Sequence, residues 1–202
     1  MRSSGERPRP SGADPRWVIV GLALAAFAAL SVVATPAQSE APVVRRADDT
    51  LASFARRLLP PHSKMATRPV ELYLPPLGKV VVILLRPEGT ASNYSGWVLI
   101  PDDDKATSYR KSSLPPMELA ESLFEIQVKS IFSAKTNAAA SPVLCVLYTY
   151  YRTGSGEEGG YATEVYAWRS DAFARLPEVA KQVAGLKNAR QVRTRLTSKD
   201  SR

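Results

Sequence analysis

The sequence predicts an α+β fold: an antiparallel sheet of about six strands, flanked by an N-terminal and a C-terminal helix and preceded by a signal or anchor segment. Three observations carry this expectation. Apolar residues recur at helical spacing only near residue 50 and after residue 177. Between these points, short β-prone runs are punctuated by proline, glycine and aspartate. No strand–helix–strand alternation appears along the chain, as a parallel sheet would require.

The N-terminal helix is expected over 48–59. Asp48-Asp49-Thr50 supplies capping side chains, and Leu51, Phe54, Ala55, Leu58 and Leu59 mark one helical face before Pro60-Pro61 ends it. Strands follow at Val70–Leu74, Lys79–Arg86 and Ser95–Ile100, the second apolar throughout, as for a central strand. A polar loop is expected from Asp102 to about Pro116, with a short helical turn at Met117–Ser122. Phe124, Ile126 and Val128 alternate with Glu125, Gln127 and Lys129, the pattern of a half-buried strand. Val143–Tyr151 and Tyr161–Trp168 read as a hairpin joined by the Gly-rich segment 152–160. Pro177 suits the first turn of a C-terminal helix, with Val179, Val183 and Leu186 on its apolar face. Gly185 is expected to break or kink it before Val192 and Leu196 continue the stripe.

Ahead of the folded part, residues 1–16 carry Arg2, Arg7, Arg9 and Arg16 against Glu6 and Asp14. Trp17–Ala34 is then an uncharged run of 18 residues, followed by Thr35-Pro36-Ala37. A positive stretch, an apolar run and small residues form the order of an export signal, with cleavage expected after Ala37. A membrane-spanning helix needs about 17–25 apolar residues, so the same run is also long enough to be an uncleaved anchor. Either way the arginines stay cytoplasmic, and the chain beyond is exported, to a periplasm or the exterior, free or as a single-pass membrane protein held by residues 17–34. Residues 1–37 are therefore set apart as signal or anchor, 38–47 as linker, and 48–198 as one exported domain.

The net charge of +8 is unevenly distributed. Residues 38–180 hold 16 basic and 16 acidic residues, while 181–202 hold seven basic residues against Asp200. A neutral domain gives no electrostatic reason to expect nucleic acid. Arg190 and Arg193 share a helical face; a solvated helix is the expectation for them, and an acidic polymer or anionic lipid the sharper reading.

Most catalytic chemistries lack their residues. His62 is the only histidine and Cys145 the only cysteine, so neither a histidine–cysteine zinc site nor an intramolecular disulfide can form. No Gly-x-Ser-x-Gly elbow exists to meet His62, and Cys145 sits in an apolar run with no cation beside it. Ser108-Tyr109-Arg110-Lys111 matches Ser-x-x-Lys but lies in a predicted loop, and Asp102-Asp103-Asp104 lacks the spacing of a calcium loop. Gly154-Ser155-Gly156 joins strand to strand and carries Glu157 and Glu158, unlike a phosphate cradle. Asn93-Tyr94-Ser95 is a glycosylation sequon in a eukaryotic host.

The expected function is thus a non-catalytic exported domain that binds or scaffolds a protein or glycan ligand, with no cofactor and no metal. Alternation places Leu144, Val146, Tyr148 and Tyr150 on one face of the hairpin, and Tyr166 and Trp168 share a face with Glu164. Cross-strand packing is the ordinary role of such rings. The functional alternative is a carbohydrate-binding platform built from Tyr148, Tyr150, Tyr166 and Trp168. A second alternative is a small hydrolase using Glu125, Glu157, Glu158 or Glu164 with the hairpin tyrosines.

Overall fold

The structure is a computed structural model that describes residues 41–90, 93–102, 105–118, 124–152 and 154–198. The predicted targeting segment, 1–37, lies outside the described residues. The described residues belong to one compact unit. Among the described residues no helix is long and apolar enough to cross a membrane.

The chain runs β1 (Val43–Val44), α1 (Leu51–Arg57), β2 (Ser63–Met65), β3 (Val70–Tyr73), β4 (Lys79–Pro87), β5 (Asn93–Pro101) and β6 (Ser108–Glu118). It continues through β7 (Phe124–Ala134), β8 (Val143–Arg152), β9 (Glu158–Arg169), β10 (Ala172–Arg175), α2 (Pro177–Gln182) and α3 (Ala189–Thr197). All strand pairs are antiparallel. They form two sheets, not the one expected. The first has the order β1-β6-β5-β4, with β2 and β3 in succession along the free side of β4, and the second is the meander β10-β9-β8-β7.

The reason for two sheets lies in β4 and β8, which are apolar on both faces. In β4, Val80, Val82 and Leu84 face the second sheet, where they meet Leu144, Val146 and Tyr148 of β8 in one core. Val81, Ile83 and Leu85 point the opposite way and pack with Phe54 and Ala55 of α1. In β8, Cys145 and Leu147 point away from the first sheet and pack under Val179 and Val183 of the α2 segment and Val192 and Leu196 of α3. Each fully buried Val or Leu contributes about 1.5–3 kcal/mol, so a bare face on either strand would forfeit several such terms. The result is four layers, helix–sheet–sheet–helix. The terminal helices cover opposite outer faces.

Local chemistry explains the departures from expectation. Ser108–Glu118 is a strand, not a loop and helical turn. Its prolines are accommodated because they stand at an irregularity, where pairing jumps from Gly96↔Leu114 to Tyr94↔Met117. β7 has a bulge between Val128 and Ser130, so Ile126 and Ile131 both reach the inter-sheet core despite their odd spacing. β10 follows a two-residue turn in which Ser170 and Asp171 have φ of 48° and 60°. Positive φ at both central positions is the primed turn that matches strand twist, here without the glycine that usually marks it. Val43 and Val44, in the segment read as a linker, pair with Tyr109 and Ser108.

The helices are shorter than their patterns. In α1, Thr50 caps the first turn by accepting from the Ser53 N–H at 3.1 Å. The Arg46 N–H donates to the Asp49 carboxylate, which also pairs with Arg57, and together these hold Asp49 below the usual carboxylate range. Gly185, at φ 78°, does separate the C-terminal stripe into two helices, and its N–H donates to Tyr161 O at 2.9 Å. Asn188 then caps α3, accepting from the Gln191 N–H at 3.0 Å.

Gly96 carries a constraint that the sheet depends on. A Cβ there would stand 2.8 Å from Leu84 Cδ2 and 2.9 Å from the Ile83 carbonyl oxygen. Backbone cannot give way as a side chain can. Gly96→Ala should therefore destabilise the domain by about 1–3 kcal/mol, read as a lowered urea midpoint with unchanged m-value. A wild-type midpoint would refute this close approach.

Candidate functional site

The polar residues that might carry catalysis are dispersed or already engaged. His62 sits in an exposed turn with its side chain 90 % exposed, and Glu88 lies 3.8 Å away. Ser108 and Lys111 are three apart on a strand and so point to opposite faces of β6. Ser108 donates to Asp102 at 3.1 Å, and Lys111 lies 4.4 Å over the Trp97 ring. Asp103 and Asp104 lie outside the described residues. Among the described residues no group of three His, Cys, Asp or Glu side chains is arranged to hold a metal.

The four candidate glutamates do not converge on a shielded cavity. Glu157 and Glu158 are exposed at the hairpin tip. Glu125 stands at the other end of the sandwich seam from α3, 4.0 Å from Arg86, in a polar cleft of about 390 Å³ with Gln127 and Tyr151. Glu164 is buried, but both of its oxygens are taken by Arg175, at 2.7 and 3.0 Å. This bidentate pair closes the inter-sheet core beside Tyr148 and Tyr166.

The aromatic residues are core side chains rather than an open platform. Tyr148 and Tyr166 are 4 % and 1 % exposed, between the two sheets. Burial pushes both phenols well up, with the Glu164 carboxylate adding to the effect and the Arg175 guanidinium opposing it. Tyr150 and Trp168 are half-buried against the same core. The backbone of Gly159 and Gly160 crosses Tyr150 so closely that a Cβ would stand 2.7 Å from its ring at Gly159 and 2.7 Å from its hydroxyl oxygen at Gly160. Trp168 meets the edge of Phe173, with ring centroids 5.0 Å apart. The alternation read from the sequence assigns the correct common face. That face is covered by the first sheet.

A different site is assembled from three segments that are remote in sequence. The end of β3 brings Tyr73, the end of β7 and the β7–β8 connection bring Ser133, Lys135 and Pro142, and α3 brings Arg193, Thr194 and Thr197. They line an open groove of about 520 Å³. A second cavity of about 360 Å³ continues from it along Asn137 and Ser141, sharing Lys135, Pro142 and Thr197. The geometry of α3 follows from its apolar stripe. Val192 and Leu196 are drawn onto the second sheet, so the residues next to them, Arg193 and Thr197, flank its rim.

The electrostatics of this groove are one-sided: among the described residues no carboxylate lines either cavity. Arg193 is held in place by its own scaffold. Its Nε donates to Ser133 O at 3.1 Å and its guanidinium carbon lies 4.8 Å over the Phe132 ring. That leaves both Nη groups, the fork that grips an anion, without a hydrogen bond among the described residues. Lys135 is exposed and forms neither an ion pair nor a hydrogen bond among the described residues. Tyr73 is 68 % exposed at the same rim, one of two large apolar side chains left so open among the described residues.

No protein-family model matches this chain, and neither a curated protein nor a solved structure is found to be similar to it.

Cys145 lies behind the groove, fully buried under the helices. Burial pushes its thiol up to about 12, with the Arg193 charge only partly offsetting it. At pH 8 the native protein should leave Cys145 unlabelled by a thiol-reactive disulfide reagent, whereas unfolding in guanidinium should expose one reactive thiol. Rapid labelling of the native state would contradict this packing.

Proposed function

We propose that the domain is a non-catalytic binding module whose ligand is anionic and sits in the groove between β3, the β7–β8 connection and α3. The observation that carries this reading is the placement of Lys135 beside a pre-positioned Arg193 in a concavity that no carboxylate lines among the described residues. Two cations with no carboxylate partner among the described residues raise the local concentration of anions in a groove and orient them. The volume, about 520 Å³, falls within the roughly 300–1,000 Å³ typical of ligand sites. The dispersion of His62, Cys145 and the glutamates supports binding over hydrolysis.

The arginine-flanked apolar segment supports an extracytoplasmic setting for this module, either released after cleavage at Ala37 or tethered through residues 17–34. An anionic ligand of the cell envelope or the exterior is then the natural target.

The test is salt-dependent binding of the 202-residue chain, in mild detergent, to immobilised poly-glutamate. Binding is expected at low ionic strength and should weaken steeply as the Debye length shrinks to about 8 Å near physiological salt. Lys135→Glu combined with Arg193→Glu should abolish it. Arg152→Glu, a charge reversal at the opposite end of β8, should not. Equal loss from both changes would show that net charge and not the groove governs binding, and would sink the proposal.

A further inference from the structure

Resting on the anion-binding reading above, we infer that the groove takes an acidic polysaccharide, its carboxylate on Arg193 and Lys135 and a sugar ring against Tyr73. Simple anion binding needs only the two cations. It gives no reason for a large aromatic ring to stand 68 % exposed at the rim. Standing beside the two cations, this ring offers a flat apolar surface, and the apolar faces of pyranose rings are complementary to such surfaces. The ring edge of a sugar is polar, and the groove matches it. Thr194, Thr197 and Ser133 line it, and Asn137 and Ser141 line its continuation. A carboxylate on the sugar gives the planar two-oxygen partner that a guanidinium fork binds best.

The two cavities also speak to ligand length. They share Lys135, Pro142 and Thr197, so the site is elongated rather than a single cup. A free uronic acid would occupy one part only. A chain of sugars would engage both, with the Tyr73 and Arg193 end holding one unit and the Asn137 and Ser141 end holding a neighbour. Lys135, at the junction, lies within the lining of each. An acidic peptide would satisfy the cations but has no sugar face to set against Tyr73.

The experiment compares four probes by calorimetry with the 202-residue chain: a hexameric oligogalacturonate, the galacturonate monomer, a neutral galacto-oligosaccharide of equal length, and poly-glutamate. The hexamer should bind at least about tenfold tighter than the monomer and the neutral oligomer. Tyr73→Ala should weaken hexamer binding by about tenfold while leaving poly-glutamate binding unchanged. Tyr73 is exposed, so the variant should fold, and an unaltered urea midpoint checks that. Arg193→Gln should weaken both polyanions. If poly-glutamate binds but the hexamer binds no better, or if Tyr73→Ala affects neither, the glycan inference fails and the anion-binding reading stands. If neither polyanion binds, both fail together.

Discussion

The fold depends on two strands that are apolar on both faces. β4 and β8 each present one apolar row inward, Val80-Val82-Leu84 against Leu144-Val146-Tyr148, and a second row outward. A single sheet with helices on one side would have left one row of each strand in water. Stacking the sheets face to face buries the inner rows, and the outer rows then require cover of their own. The two ends of the chain supply it: α1 lies over Val81, Ile83 and Leu85, and the C-terminal helices lie over Cys145 and Leu147. The four layers are thus a consequence of two short apolar runs, with the remaining strands completing the sheets around them.

Much of this was legible locally. The alternation of β8 assigns each of its side chains to the correct face. The same holds for the proline-terminated α1 pattern, the Gly-rich hairpin and the break at Gly185. What was not legible is where local rules yield to pairing. Nothing in Ser170-Asp171 marks a primed turn, because glycine, its usual signal, is absent, so β10 went unseen. The prolines of β6 suggested a loop because a proline's missing N–H usually excludes a strand. Here the register jump between Leu114 and Met117 makes that N–H unnecessary. The bulge near Lys129 hides the continuation of β7 by shifting its apolar phase by one residue. The number of sheets is also invisible to periodicity, which states that a face is apolar and not what covers it.

The aromatic residues illustrate the same limit at the level of function. Their common face was correctly read, and an exposed face of that kind would bind flat ligands. Whether it is exposed depends on the other sheet, 60 residues earlier in the chain. The Glu164–Arg175 pair adds a reason for the enclosure to persist. With both carboxylate oxygens satisfied, the charge can remain at the edge of the core, and separating the sheets there would uncover it without its partner. The groove was hidden for the opposite reason. Tyr73, Lys135 and Arg193 are unremarkable in their own segments, and only the crossing of α3 over the end of the β7–β8 hairpin brings them together. The shared face of Arg190 and Arg193 was the single trace of it in the sequence.

The charge distribution acquires a physical meaning from this arrangement. Residues 38–180 are neutral, and on their surface opposite charges meet, as in Lys79 and Arg45 on Glu71 or Lys64 on Glu88. Such exposed pairs contribute little, about 0–1 kcal/mol each, so leaving Lys135 and Arg193 without carboxylates costs the fold little. The effect on an approaching anion is larger, because a groove with low-dielectric walls and no acid among its described lining residues concentrates its field. The excess of basic residues after 180 is carried largely by α3 and the turn before it, and α3 is docked by Val192 and Leu196 with Arg193 at the groove. The apolar stripe that closes the second sheet therefore also fixes the position of the positive charge, which ties the binding surface to the packing of the core rather than to a mobile basic tail.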